Sequence, residues 1–170
     1  MGPSTSSGNP TSSGTVNVVF VCWGNICRSP MAERVARGWA DREGLTGVRF
    51  TSAGVSSEET GNPIDPRARA VLTREGYDAN HHRAHRITAA DIADADLVIG
   101  LEQLHVDRMR RLVPDATNLS LLTDFDPAAE PGSGIDDPWY GDAEGFNDTL
   151  ASIEAAMPGV LARVKDLQRR

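Results

Sequence analysis

Residues 17–30 read NVVFVCWGNICRSP, and the change of residue type along them decides the fold class. Asn17–Val21 is a short β-branched and aromatic run, the composition of a buried strand. Farther on, Ser29 can cap a helix with Pro30 in its first turn, after which Met31, Val35, Ala36 and Trp39 share one helical face. Between the two lies a loop, Cys22–Ser29. Outward from it the alternation repeats. Val48–Ser52 reads as a second strand, Pro66–Glu75 as a helix stopped by Gly76, and Asp96–Leu101 as a third strand before a helix from about Gln103 to Leu112. Leu119–Leu122 makes a fourth strand. Phe146, Leu150, Ile153, Met157, Leu161, Val164 and Leu167 recur at steps of three and four, which predicts a terminal helix that Pro158 kinks. Strands alternating with helices predict an α/β fold, a parallel sheet covered on both faces, with its ligand beyond the carboxyl ends of the strands.

The chain has 170 residues, 39% hydrophobic and 24% charged, which is material for one domain. No apolar run approaches the ~18 residues of a membrane span, so no membrane partner is expected. Lys+Arg 17 against Asp+Glu 24 leaves a net charge of −7, which would repel a phosphate backbone and argues against nucleic acid. Cys22 and Cys27 are too few and too close for a disulfide scaffold, so their use is expected to be chemical. Residues 1–15, MGPSTSSGNPTSSGT, lack the apolar side chains that would offset ordering and are expected to be a disordered tail before a domain over 16–170. With no basic start leading into an apolar stretch, they argue for a cytoplasmic, reducing home, although signal-less export stays open.

The loop after the first strand carries Cys22 and Arg28, a C-x5-R pair. Alone the pair is weak, since about 0.2 such pairs arise by chance at this composition. Its position is what matters. A loop entering a helix turns successive N–H groups inward and adds the partial positive charge of the helix start, a nest for phosphate. Arg28 supplies a bidentate fork, and Gly24 is expected to let the backbone bend around the ligand. The same field favours a thiolate at Cys22. No lysine follows Gly24 in a nucleotide-loop pattern. Cys27, five residues from Cys22, is a candidate to resolve an oxidised Cys22 as a disulfide.

Expelling an alkoxide or a phenoxide requires a general acid, because even a phenol of pKa about 10 leaves better when protonated. Residues 124–148 hold eight acidic side chains and no Lys or Arg. Within them Asp136-Asp137-Pro138-Trp139-Tyr140 joins carboxylates, a rigid turn and two aromatics, a combination suited to an aryl phosphate.

VCWGNICRSPMAE (21–33) and DDPWYGD (136–142) together resemble the two signatures of the low-molecular-weight protein tyrosine phosphatases, a likeness running from about residue 16 to 168. The resemblance implies a three-layer fold with a four-stranded parallel sheet flanked by helices, no cofactor, and hydrolysis of phosphotyrosine in proteins or peptides through a phosphocysteine. It implies Cys22 as nucleophile, Arg28 as phosphate clamp and Asp137 as the acid that later activates water, with inorganic phosphate as product and competitive inhibitor. Trp23, Gly24, Asn25, Ile26, Cys27, Arg28 and Ser29 form its phosphate loop. Asn25 and Ser29, with Ser52 and His82, match the residues that support that loop. The chain departs from the family at Glu58. Counting back from Gly61-Asn62-Pro63, relatives often carry an aromatic cleft wall there. Trp23 is a candidate substitute, flanking the ring with Trp139 and with Tyr140 nearby, while Glu58 would favour basic peptides.

His81, His82 and His85 lack an acidic or Cys neighbour and sit among Arg83 and Arg86, so no metal is expected. Thioredoxin-coupled arsenate reductases share the loop but need two further cysteines, and none follows Cys27. Arginine phosphatases resemble it with a Thr where this chain has Ile26. A phosphotyrosine-binding module or thiol redox sensor without turnover remains the alternative of another class, which an aryl phosphate assay separates.

Overall fold

The computed structural model describes residues 14–170. The expected tail lies outside the described residues except for Gly14 and Thr15. Four strands, β1 (Val16–Cys22), β2 (Val48–Gly54), β3 (Leu97–Gly100) and β4 (Leu119–Leu121), form one parallel sheet in the order β2-β1-β3-β4. Among the described residues five α-helices accompany it: α1 (Arg28–Glu43), α2 (Pro66–Arg74), α3 (Ala89–Asp94), α4 (Gln103–Leu112) and α5 (Gly145–Gln168).

Strand β1 is central and its side chains alternate between two cores, as the period of two requires. Val18, Phe20 and Cys22 join Met31 and Val35 of α1 and Phe146, Ile153, Met157 and Leu161 of α5. Val19 and Val21 join Ile92 of α3, Val98 of β3 and Met109 of α4. Full burial of each large aliphatic or aromatic side chain stabilises the fold by about 1.5–3 kcal/mol, so this three-layer packing rests on the residues whose spacing announced it. The chain leaves β1 toward β2 on one side and later returns to β3 on the other. That reversal opens a crevice at the carboxyl end of β1, where Cys22 ends the strand.

One local expectation is corrected. Cys27, not Ser29, is the N-cap of α1, and the Ser29 hydroxyl is turned inward instead. The loop's left-handed backbone angle falls on Asn25, at φ 62. The short helix α3 was not anticipated, although Thr88 and Asp91 cap it reciprocally in the S/T-x-x-D/E pattern. Helix α5 runs from Gly145 to Gln168 with Pro158 inside it. Gly159 beside that proline is required by close approach, since a Cβ there would stand 2.3 Å from the Phe125 carbonyl oxygen.

Candidate active site

The loop between β1 and α1 is held from outside by its carbonyl groups. Cys22 O accepts from Val55 N at 3.0 Å, Trp23 O from Ser56 N at 2.9 Å, Ile26 O from Asp65 N at 2.9 Å, and Asn25 O from His82 Nε2 at 2.6 Å. The peptide bonds are trans, so each carbonyl points opposite to the N–H of the next residue. Fixing these four carbonyls on the scaffold therefore turns the amides of Trp23, Gly24, Ile26 and Cys27 to the other, inner side. This is an anion nest at the start of a 16-residue helix.

Asn25 is fully buried and satisfied on every side. Its left-handed backbone suits Asn better than most side chains. Nδ2 donates to Ser29 Oγ at 2.9 Å and Ser52 Oγ at 3.0 Å, while Oδ1 accepts from His85 N at 3.1 Å. Ser52 passes its proton onward to Glu33 Oε1 at 2.7 Å. Because Asn25 fills an acceptor site on Ser29, the Ser29 proton is left for Cys22 Sγ at 3.0 Å or Ala53 O at 3.3 Å. Burial lowers the proton affinity of His82, so its ring is neutral and its Nε2–H is the donor to Asn25. All four expected support residues thus meet in one network. Gly54 closes it sterically: a Cβ there would lie 2.7 Å from Trp23 O and 3.1 Å from Asn25 N.

Arg28 is 2% exposed and anchored by one end. Nη1 donates to Glu102 and to Ile135 O at 2.8 Å, while Nη2 stands 3.5 Å from Asp137 Oδ2. Nε is buried without a hydrogen-bond partner among the described residues. Holding Nη1 leaves the Nε–Nη2 edge, the fork that matches two oxygens of a phosphate. Glu102 is itself fixed, its backbone N–H donating to His105 Nδ1 at 3.0 Å. Burial, reinforced by the charge of Arg28, lowers the His105 pKa to about 3, so this ring adds no charge beside the guanidinium.

Asp137 caps a 3-10 turn, Pro138–Tyr140, with Oδ1 accepting from Trp139 N at 3.0 Å. Oδ2 is therefore the oxygen available for proton transfer. Arg67 braces this turn. It donates to Trp139 O and Gly141 O, both at 3.3 Å, and is held by Asp65 at 2.9 Å. Burial works against the Asp65 charge, but its bonds from Arg67 outweigh that and keep its pKa below the ordinary carboxylate range.

Cys22, Trp23, Gly24, Ile26, Cys27 and Arg28 line one cleft together with Glu58, Glu59, Asp137, Trp139 and Tyr140. A model described as the low molecular weight phosphotyrosine protein phosphatase matches residues 17–170. The chain belongs to this family. A low molecular weight protein-tyrosine-phosphatase of Streptomyces coelicolor is 41% identical over 157 residues, covering 89% of this chain and 95% of that one. Protein-tyrosine phosphatase A of Mycobacterium tuberculosis is 40% identical over 147 residues, covering 85% and 89%. Among solved structures, YfkJ of Bacillus subtilis superimposes with a TM-score of 0.83 at 27% identity, covering 89% of this chain and 96% of that one. A protein tyrosine phosphatase of Entamoeba histolytica gives 0.84 at 25%, covering 89% and 98%. The chain is accordingly a phosphotyrosine protein phosphatase, a hydrolase.

In this phosphatase, sequence reasoning missed Glu102, His105, Gly54 and Arg67. Glu102 lies two residues past the carboxyl end of β3, the place where ligand-facing residues of such sheets gather, and that rule was the available signal. Arg67 lies next to Pro66 at the start of α2 and carried no signal beyond its charge.

Proposed function

We propose that the cleft hydrolyses phosphotyrosine in proteins or peptides in two displacements at phosphorus. The Cys22 thiolate attacks, the bond from phosphorus to the phenolic oxygen breaks, and Asp137 Oδ2 gives its proton to the departing phenolate. Water then attacks the phosphocysteine, Asp137 takes a proton from it, and the thiolate leaves with inorganic phosphate as product. The inner amides and the Nε–Nη2 edge of Arg28 hold the three phosphoryl oxygens through both steps, where charge develops. Ser29 donates to Cys22 Sγ and stabilises it as the leaving thiolate. Free phosphate fits the same nest and competes with substrate. Every group in this chemistry is a side chain or amide of the chain, and no cofactor or metal enters it.

The observation that carries the reading is the convergence of Cys22, the free edge of Arg28 and Asp137 on one cleft with aromatic walls. No helix among the described residues is long and apolar enough to cross a membrane. A cytoplasmic setting belongs to the same proposal because a reduced Cys22 is needed. Rapid acid quenching during turnover of a phosphotyrosine peptide should leave phosphate on Cys22, detected by mass spectrometry. Cys22→Ser should abolish turnover yet still bind phosphate or vanadate through Arg28 and the nest. Hydrolysis above background in Cys22→Ser would remove the covalent route.

A further inference from the structure

Beside the catalytic cleft lies a second groove. Its floor is apolar and buried, made by Val55, Ile87 and Met109, and its rim carries Arg86, Arg108 and Arg111. Leu112 completes the rim and is 46% exposed. The three arginines are exposed, and none has an acidic partner or a side-chain hydrogen bond among the described residues. In a chain of net charge −7, carboxylates are plentiful, yet none has been placed here.

The groove is built onto the catalytic loop. Val55 N donates to Cys22 O at 3.0 Å, and Ile87 N to Gly54 O at 2.7 Å, so the floor and the loop share the end of β2. The guanidinium of Arg108 lies 5.1 Å from the ring centroid of Trp23, which lines the catalytic cleft. A peptide whose phosphotyrosine occupies the cleft and whose chain crosses Trp23 would arrive at these arginines.

We propose that this groove binds an acidic stretch of the phosphotyrosine substrate, a few residues away from the phosphotyrosine itself. Carboxylate side chains meet the three arginines, and an intervening apolar side chain covers the floor. Like charges clustered without counter-charges repel one another, and an anionic partner relieves that repulsion while speeding encounter. The concave apolar floor suits a peptide side chain better than a flat lipid surface. The proposal rests on the phosphatase reading of the adjacent cleft.

Steady-state kinetics on four phosphotyrosine peptides tests it. One is uncharged at its flanks, and the others carry Asp and Glu three to five positions before, after, or on both sides of the phosphotyrosine; para-nitrophenyl phosphate serves as control. At low salt at least one acidic peptide should exceed the neutral one in kcat/KM by about tenfold, and added salt should shrink the gap. The double variant Arg86→Glu/Arg111→Glu, which leaves Trp23 and its Arg108 untouched, should lose or reverse that preference with control turnover unchanged. Equal rates on all peptides, or a preference surviving in the double variant, would overturn the proposal. Equal rates together with binding of the wild type to phosphatidylserine vesicles would also overturn it and make the groove a lipid-facing patch. Absence of control turnover in the wild type would instead strike at the phosphatase reading, and this proposal would fall with it.

Discussion

The guanidinium of Arg67 lies 5.2 Å from the ring centroid of Trp139, while its Nη1 donates to the carbonyls of Trp139 and Gly141. It also lies 4.7 Å from the ring centroid of Phe146, so one side chain ties the start of α2 to both the acid turn and the start of α5. Asp65 holds Arg67 and also bonds Ile26 of the catalytic loop through its backbone N–H. The distance between nucleophile and acid is thus set by a short chain of contacts. Arg67→Met should lower kcat/KM on the order of tenfold for phenyl phosphates, because a misplaced acid transfers its proton poorly to the leaving group. It should do much less to esters with acidic leaving groups. A uniform loss across leaving groups would reduce Arg67 to a general stabiliser of the fold.

Asp137→Asn tests the acid directly. Loss of a positioned proton donor costs about 10²- to 10⁴-fold, and only substrates needing that proton bear it. Because Asp137 also serves the later water step, which every substrate shares, the test uses kcat/KM: a plot of log(kcat/KM) against leaving-group pKa should be shallow for the wild type and steep for Asp137→Asn. Parallel plots would assign Asp137 to holding the Trp139 turn alone.

Cys27 is a buried thiol whose burial, followed by the charges of Asp65 and Cys22, pushes its pKa well above the ordinary thiol range. If mild peroxide converts Cys22 to a sulfenic acid, Cys27 as thiolate can attack that sulfur and expel hydroxide, forming a disulfide. Because little Cys27 is ionised near neutrality, disulfide formation should accelerate by about tenfold per pH unit in that range. Dithiothreitol should then restore the wild type, whereas Cys27→Ser should pass on to oxidised forms that thiols do not rescue. Complete recovery of Cys27→Ser would count against a resolving role.

His105 makes an acid-side prediction about stability. Its folded pKa of about 3 lies below the unfolded value of about 6.5, so between them the unfolded chain binds the extra proton. Stability contributed by the neutral buried ring is therefore present above the unfolded value and is lost as pH falls, by up to about 1.4 kcal/mol per pH unit. His105→Gln should be less stable at pH 7 but show a shallower decline between pH 7 and 5 in urea unfolding. Equal slopes would mean that His105 does not titrate on unfolding.

Much of this was legible in the chain because it is local. The apolar run Val18–Val21 before Cys22 and the three-and-four spacing from Phe146 write their burial into the local sequence; the run and the spaced positions through Val164 are buried, and Leu167 is partly so. Two short motifs marked Cys22, Arg28 and Asp137, and the structure brings all three to one cleft. The illegible parts are contacts made across the sequence. Glu102 reaches Arg28 over 74 positions and Arg67 reaches Trp139 over 72, and no local pattern encodes such pairs. The N-cap of α1 was misread for a similar reason: Ser29 is a good cap in isolation, but its hydroxyl is drawn to Cys22 and Asn25.

Trp23 is half-buried, lines the cleft together with Trp139, and carries Arg108 on its ring. Trp139 carries Arg67 in the same way, so two arginine-backed indoles border the place where a phenyl ring would enter. Glu58 is exposed at the same cleft, and Glu59 lies beside it. Stacking on the substrate ring is ground-state and transition-state binding alike, so Trp23→Ala should raise KM about three- to tenfold for aryl phosphates with a smaller effect on kcat. From its place at the cleft, Glu58 is expected to read charge at residues adjacent to the phosphotyrosine, nearer than those the arginine groove would engage. With Lys or Asp placed next to phosphotyrosine, the wild type should favour Lys and Glu58→Lys should favour Asp, each more strongly at low salt. Unchanged kcat/KM for phosphotyrosine peptides in Trp23→Ala would show that Trp139 and Tyr140 suffice as walls, and that Trp23 serves to seat Arg108 instead.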